Sequence, residues 1–154
     1  MEACLRIDFI GNEGCDMIHN GLEVNVGLLI IRLVVGLTFM GHGTQKLFGW
    51  FGGAGPQNTG KWLESLGIQS RGMFFAVAAG LFELVGGLLF AAGFMTLIGS
   101  TLIVIVMIDA IIAVHGPNGY WMDRGGFEYN LVLIAVVIGV ALVGPGQFTY
   151  PFSI

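Results

Sequence analysis

The sequence predicts an all-α protein, a transmembrane four-helix bundle with a short interfacial helix in its first connection. Three observations carry that expectation. The 154 residues are 55% hydrophobic and only 10% charged, against about 25% charged in soluble domains, and mean hydropathy is +0.85. Four apolar stretches, residues 26–48, 72–94, 96–115 and 129–143, approach the roughly 20 residues that a helix needs to cross a bilayer. These runs are continuous rather than alternating, so the backbone is expected to satisfy itself within helices and not within barrel strands. Little chain remains for a soluble domain, and the reading divides it into an acidic tail, 1–25, and one membrane domain, 26–154.

The tail sets Glu2, Asp8, Glu13, Asp16 and Glu23 against Arg6 alone and supplies most of the net charge of −4. That balance speaks against binding nucleic acid or anionic lipid. The opening "MEACLRIDFIGNEGC" lacks a basic region followed by an apolar core and a cleavage site, so the first span is expected to act as the insertion signal. Cys4 and Cys15 lack CxxC spacing and read as incidental thiols.

In the first span Arg32, Gly36, Phe39, Gly43 and Lys46 recur at helical spacing and share one inward face. The first connection is Gly-rich, then amphipathic: "KWLESLG" puts Trp62, Leu63 and Leu66 near one side and Lys61 and Glu64 near the other, as in a short helix at the headgroups. The second span carries Glu83 on a side made small by Ala76, Ala79, Gly80, Gly86 and Gly87, where another helix can approach closely. Gly93 then breaks the helix into a tight hairpin. The third span places Asp109 within "IVIVMIDAIIAV". The connection that follows, "HGPNGYWMDRGGFE", combines turn formers with Tyr120, Trp121 and Phe127, residues suited to an interfacial belt. Lys46, Lys61, Arg71 and Arg124 fall at the first and third connections, which places those loops in the cytoplasm and both termini outside.

A charge inside a span costs about 2.5–3.5 kcal/mol on insertion scales and normally faces a partner or a watery cavity. At 1.5 Å rise per residue, Arg32 lies roughly 9 Å and Glu83 roughly 16 Å below the N-terminal side, so a guanidinium–carboxylate fork between them is the expected pairing. Asp109, His42 and His115 lie deeper, with Gln45, Lys46, Glu128 and Asn130 toward the opposite edge. A polar column through the bundle is the functional reading. The competing one makes Arg32 and Glu83 a register-fixing ion pair, the histidines interfacial groups bonded to loop backbone, and Asp109 a residue hydrogen-bonded to the small face of a neighbouring helix. The spacing of His and carboxylates matches no metal motif, and no P-loop, dinucleotide fingerprint or nucleophile elbow is present.

The runs "RLVVGLTFMGHGTQKLFGWFGGAG" from Arg32, "FELVGGLLFAAG" and "HGPNGYWMDRGGFEYNLVLI", with "GPG" at 144–146, resemble the DoxX family of small bacterial membrane proteins over about residues 27–147. The positions that carry over are Arg32, His42, Gly43, Gln45, Lys46, Gly49, Gly52 and Gly53, then Glu83, Gly86 and Gly87, then Gly126, Glu128 and Tyr129. The resemblance implies a four-helix protein of the bacterial cytoplasmic membrane, associated with membrane-bound oxidoreductase complexes; the related DoxD is a subunit of a thiosulfate:quinone oxidoreductase. The chain departs from the pattern in ending "QFTYPFSI" rather than Ser-Leu-Asp and in its longer acidic lead.

Two functions follow as expectations. In the first, the protein is the membrane subunit of a quinone-linked oxidoreductase. A quinone head group sits near His42, Gln45, Lys46, His115, Trp121, Glu128 and Asn130, while Glu83 and Asp109 relay protons and Arg32 completes the catalytic set as the partner of Glu83. In the second, the bundle is a non-enzymatic anchor that recruits a soluble redox partner. Membrane lipid and a redox partner protein are the expected partners, in a homo-oligomer or a larger membrane complex, with no nucleic acid.

Overall fold

The computed structural model describes residues 12–67 and 71–149, and side chains from residue 21 onward. Cys4, the Cys15 side chain, the first part of the acidic tail and the final "YPFSI" lie outside that description. The chain is a helical bundle whose described residues contain no strand. Helix α1 spans Asn12–Phe48, α2 Gly55–Ser65, α3 Gly72–Ala92, α4 Thr96–Ala110 and α5 Glu128–Val143. Short 3-10 turns at Trp50–Gly52, Gly116–Asn118 and Met122–Arg124 shape the connections. Because α1 begins at Asn12, residues 12–25, read from sequence as tail, continue the first helix.

Three helical segments, Gly21–Phe48, Gly72–Ala92 and Thr96–Asn118, are long and apolar enough to cross a membrane. The fourth, α5, has 16 residues and so measures about 24 Å, less than the roughly 30 Å hydrocarbon layer. Its flanking connections therefore need internal backbone partners, as any non-helical segment near lipid does. The third connection provides them: Phe127 N–H donates to Gly119 O at 3.1 Å and Glu128 N–H to Tyr120 O at 2.9 Å. The segment after α5 is satisfied differently, through α1, as described below.

Helix α3 is central, packed against α1, α2 and α4, while α5 packs on α4. Small residues set the α1–α3 approach. A Cβ on Gly36 would lie 2.6 Å from Gly87 O, and one on Gly43 would lie 2.7 Å from Gly80 O. Both helices carry this glycine pair seven residues apart, so two contacts fix one antiparallel register. Around Gly36 the core closes with Val35, Phe39, Phe90, Ile103, Val137 and Val140. The hairpin falls where "AAGF" predicts it. Gly93 adopts φ 70°, its N–H bonding Phe90 O and the Phe94 N–H bonding Leu89 O, both at 3.2 Å, the double closure of a Schellman end.

Candidate functional site: a polar-walled cavity at one end of the bundle

The glycine register decides which charges meet. Arg32 stands level with the C-terminal end of α3, two turns away from Glu83. Its Nε donates to Phe90 O at 3.2 Å, and Nη2 donates to Ala91 O at 3.1 Å and to Phe148 O at 2.9 Å. Nη1 donates to Pro145 O. The expected Arg32–Glu83 fork is therefore corrected: the guanidinium, 1% exposed, is held by four backbone carbonyls. Two belong to the last turn of α3, where carbonyls lack helical partners and carry partial negative charge. The other two belong to the segment after α5, which Asn25 also fastens by accepting Gln147 N–H at 2.7 Å.

Glu83 pairs with Lys46 instead. Lys46 Nζ lies 2.7 Å from each carboxylate oxygen. Lysines near helix ends usually extend outward to the headgroups; Lys46, in the last turn of α1, turns inward to a buried carboxylate. Gly80 permits this, because Lys46 Cβ and the Leu47 side chain occupy the space its missing Cβ leaves. One turn earlier on α1, His42 Nδ1 is 3.2 Å from Gln45 Oε1, and Gln45 Nε2 donates to Phe51 O at 3.4 Å.

The Lys46–Glu83 pair forms part of the wall of a cavity of about 840 Å³. Away from their hairpin α3 and α4 leave room between them, and the space is bounded by α1, α2, α5 and the third connection. Most of its lining is apolar: Phe39, Trp62, Leu63, Phe75, Ala79, Phe82, Val106, Ile112 and Leu133. Among the sequence-selected residues, His42, Lys46, Glu83, Asp109, His115 and Asn130 line it together. Arg32, Gln45, Trp121 and Glu128 do not. Trp121 is exposed and stacks edge-on with Tyr120 at 5.1 Å. Glu128 accepts the Met122 N–H at 3.2 Å and braces the third connection.

Local geometry explains how α4 reaches the cavity so extensively. At Ile111–His115 the helix widens into a π turn, and Ile112, Ala113, Val114 and His115 all line the space. Such turns add one residue to a helical turn and recur at functional sites. His115 Nδ1 lies 2.8 Å from Gly125 O, which ties the π turn to the third connection. Asn130 is buried, and its amide donates only to the Met107 thioether at 3.5 Å. Asp109 is exposed and has no hydrogen-bond or ion-pair partner among the described residues. Exposed residues border the cavity on two sides, Thr38, His42 and Tyr129 on one and Phe75, Phe82 and Asp109 on the other. The cavity thus opens sideways between helices, where lipid tails lie in a membrane.

Several lining residues lie outside the expected site set. Tyr129 carries a phenol at one opening, and Thr59 and Trp62 come from α2. The signal for α2 was present in the apolar side of "KWLESLG", which covers the cavity as well as facing the interface.

A small helical membrane protein with an ion-paired, laterally open cavity at one end of its bundle is the class that this fold and site define. Within that class the chain belongs to the DoxX family, whose model matches residues 27–116. It is 31% identical over 119 residues to a Bacillus subtilis (strain 168) protein named "Putative oxidoreductase CatD", covering 77% of this chain and 80% of that one. It is 30% identical over 132 residues to a Mycobacterium tuberculosis membrane protein, Rv3486, covering 79% and 77% respectively. No solved structure gives a significant match.

Proposed function

We propose that the protein is the membrane subunit of an oxidoreductase system in the bacterial cytoplasmic membrane and that its cavity binds the head group of a quinone. The observation that carries this reading is the Lys46–Glu83 pair in the wall of an otherwise apolar, laterally open cavity of about 840 Å³. That volume lies within the range of small-molecule pockets, about 300–1,000 Å³. A sideways opening suits a ligand that arrives through lipid. The relative named as an oxidoreductase supports the reaction class.

Quinone reduction to quinol takes two electrons and two protons. The electrons come from a partner protein that carries its own redox centre. Lys46 and His42 donate hydrogen bonds to one quinone oxygen, with Asn130 on a facing wall. Protons reach the ring through the Lys46–Glu83 pair and through Asp109 and His115. With Lys46 engaged by Glu83, the remaining cations Lys61, Arg71 and Arg124 support a cytoplasmic side for the first and third connections.

A specific observation supports a second reading, that of an anchor without chemistry. Asp109 is exposed at membrane depth with no partner among the described residues, as a residue that meets another polypeptide would be. One experiment separates the two. In nanodiscs, the Trp50→Phe/Trp121→Phe variant leaves Trp62 as the sole tryptophan, and it lines the cavity. A short-tailed benzoquinone is expected to quench it saturably. Lys46→Met and His42→Ala are each expected to weaken that binding about tenfold or more, equivalent to 1.4 kcal/mol. Quenching that never saturates, or that both variants leave unchanged, removes the quinone reading and leaves the anchor.

A further inference from the structure

A second, smaller pocket of about 230 Å³ lies beside the first and shares Lys46, Thr59 and Trp62 with it. Its remaining walls are Gln45, Gly53, Ala54 and Asn58, so it is bounded by the last turns of α1, the first connection and α2. The two spaces differ in character. The large one opens sideways among apolar side chains, whereas the small one is rimmed by the exposed Ala54 and Asn58 at the end of the bundle.

The first connection is built to keep this pocket open. Gly53 presses onto α1 so closely that a Cβ would lie 2.5 Å from Gln45 Cα, and Gln45 Nε2 holds Phe51 O. Asn58 Nδ2 donates to Ala54 O at 3.0 Å, which secures the start of α2. Between these fixed walls stands Thr59. It is buried, and its hydroxyl bonds to no described residue. A hydroxyl without a protein partner, in a pocket roomy enough for several waters, is the arrangement in which water completes the bonding.

Lys46 is the junction. Its side chain is 28% exposed while that of Glu83 is 4% exposed, and Lys46 is the charged residue that lines both spaces. We infer that the small pocket is an aqueous port, holding water between the membrane face and the Lys46–Glu83 pair and serving as the route by which protons reach the pair. Its ligand is water and the protons that water carries; Thr59 and Gln45 supply the hydrogen bonds along the way. The large cavity then meets lipid on one side of the ion pair, and the small pocket meets water on the other. This deepens the function proposed above by naming the side of proton supply. Its test involves no quinone, so either proposal can fail alone.

The test is cysteine accessibility in membrane vesicles, in a Cys4→Ser/Cys15→Ser background. Asn58→Cys, Thr59→Cys and Thr38→Cys are reacted from each side with a trimethylammonium methanethiosulfonate, which does not cross membranes, and with a lipid-soluble maleimide. If Thr59→Cys does not accumulate, Gln45→Cys serves as the inner-wall position. The charged reagent is expected to modify Asn58→Cys and Thr59→Cys from one face, and Thr59→Cys roughly tenfold or more faster than Thr38→Cys, since attack requires a thiolate stabilised by water. Prior modification at residue 58 in an Asn58→Cys/Thr59→Cys double variant is expected to slow residue 59. Inner-wall thiols that react only with the maleimide overturn the port. So does a Thr38→Cys that reacts as fast as Thr59→Cys, because water would then arrive through the large cavity.

Discussion

Lys46 Nζ stands 2.7 Å from both carboxylate oxygens of Glu83, so the last turn of the first helix is tied by charge to the middle of the third. Removing one member strands the other inside the bundle. Lys46→Met and Glu83→Gln are each expected to destabilise the protein by about 3 kcal/mol, while the double variant recovers much of that loss. Thermal unfolding of all four proteins in one detergent checks this, and strictly additive losses would show that the two residues act independently.

Arg32 makes a different demand. Its four hydrogen bonds run to carbonyls on two separate segments, a span that an ammonium cannot fork across. Arg32→Lys is expected to cost about 2 kcal/mol or more through carbonyls left without donors and to expose the segment after Gly144 to protease. Limited proteolysis followed by intact-mass measurement reads this directly, and a variant cut no faster than wild type would mean that Asn25 alone secures the segment.

The glycines of the α1–α3 seam are expected to be intolerant in proportion to the space around them. A Cβ at Gly43 would lie 2.7 Å from Gly80 O and Leu84 N, whereas one at Gly139 meets nothing within 4 Å. Gly43→Ala should therefore lower stability by about 1–3 kcal/mol through overpacking. Gly139→Ala should raise it by up to about 1 kcal/mol, because glycine is the poorer helix former. Equal effects at the two positions would remove close approach as the reason for the seam.

Filling the cavity should separate structure from function. Ala79 lines the large space, and Ala79→Phe projects a ring into it without touching the ion pair's charge. The fold is expected to hold, with a melting temperature equal to or above that of the wild type, while benzoquinone binding falls about tenfold or more. Unchanged binding would place the quinone outside this cavity.

Much of the architecture was legible in the sequence because hydropathy and helical spacing report rotation about each helix axis. The spans, the Gly93 hairpin, the inward face of Arg32 and Lys46 and the small side of α3 all follow from that one property. Axial register is a relation between helices that counting from the ends of each span does not capture, and it sets Arg32 two turns away from Glu83. The missing signal lay in the matched spacing of Gly36 with Gly43 and of Gly80 with Gly87. Aligning those pairs antiparallel sets Arg32 against Ala91, the residue whose carbonyl it binds. The π turn left no such trace in composition. Trp121 and Glu128 drew notice by residue type, yet the fold of their connection turns one outward and spends the other on a backbone N–H.

The carbonyls that hold Arg32 also impose an order on biosynthesis. The first helix inserts with a guanidinium that has no partner of its own, and Phe90 and Ala91 can serve it only after the next span has been made. Pro145 and Phe148 come last of all. A ribosome that stops before residue 145 releases a chain with two of those four acceptors missing and a charge facing the bundle's open end. Synthesis of the segment after α5 is thus registered in the membrane at a residue laid down more than a hundred positions earlier.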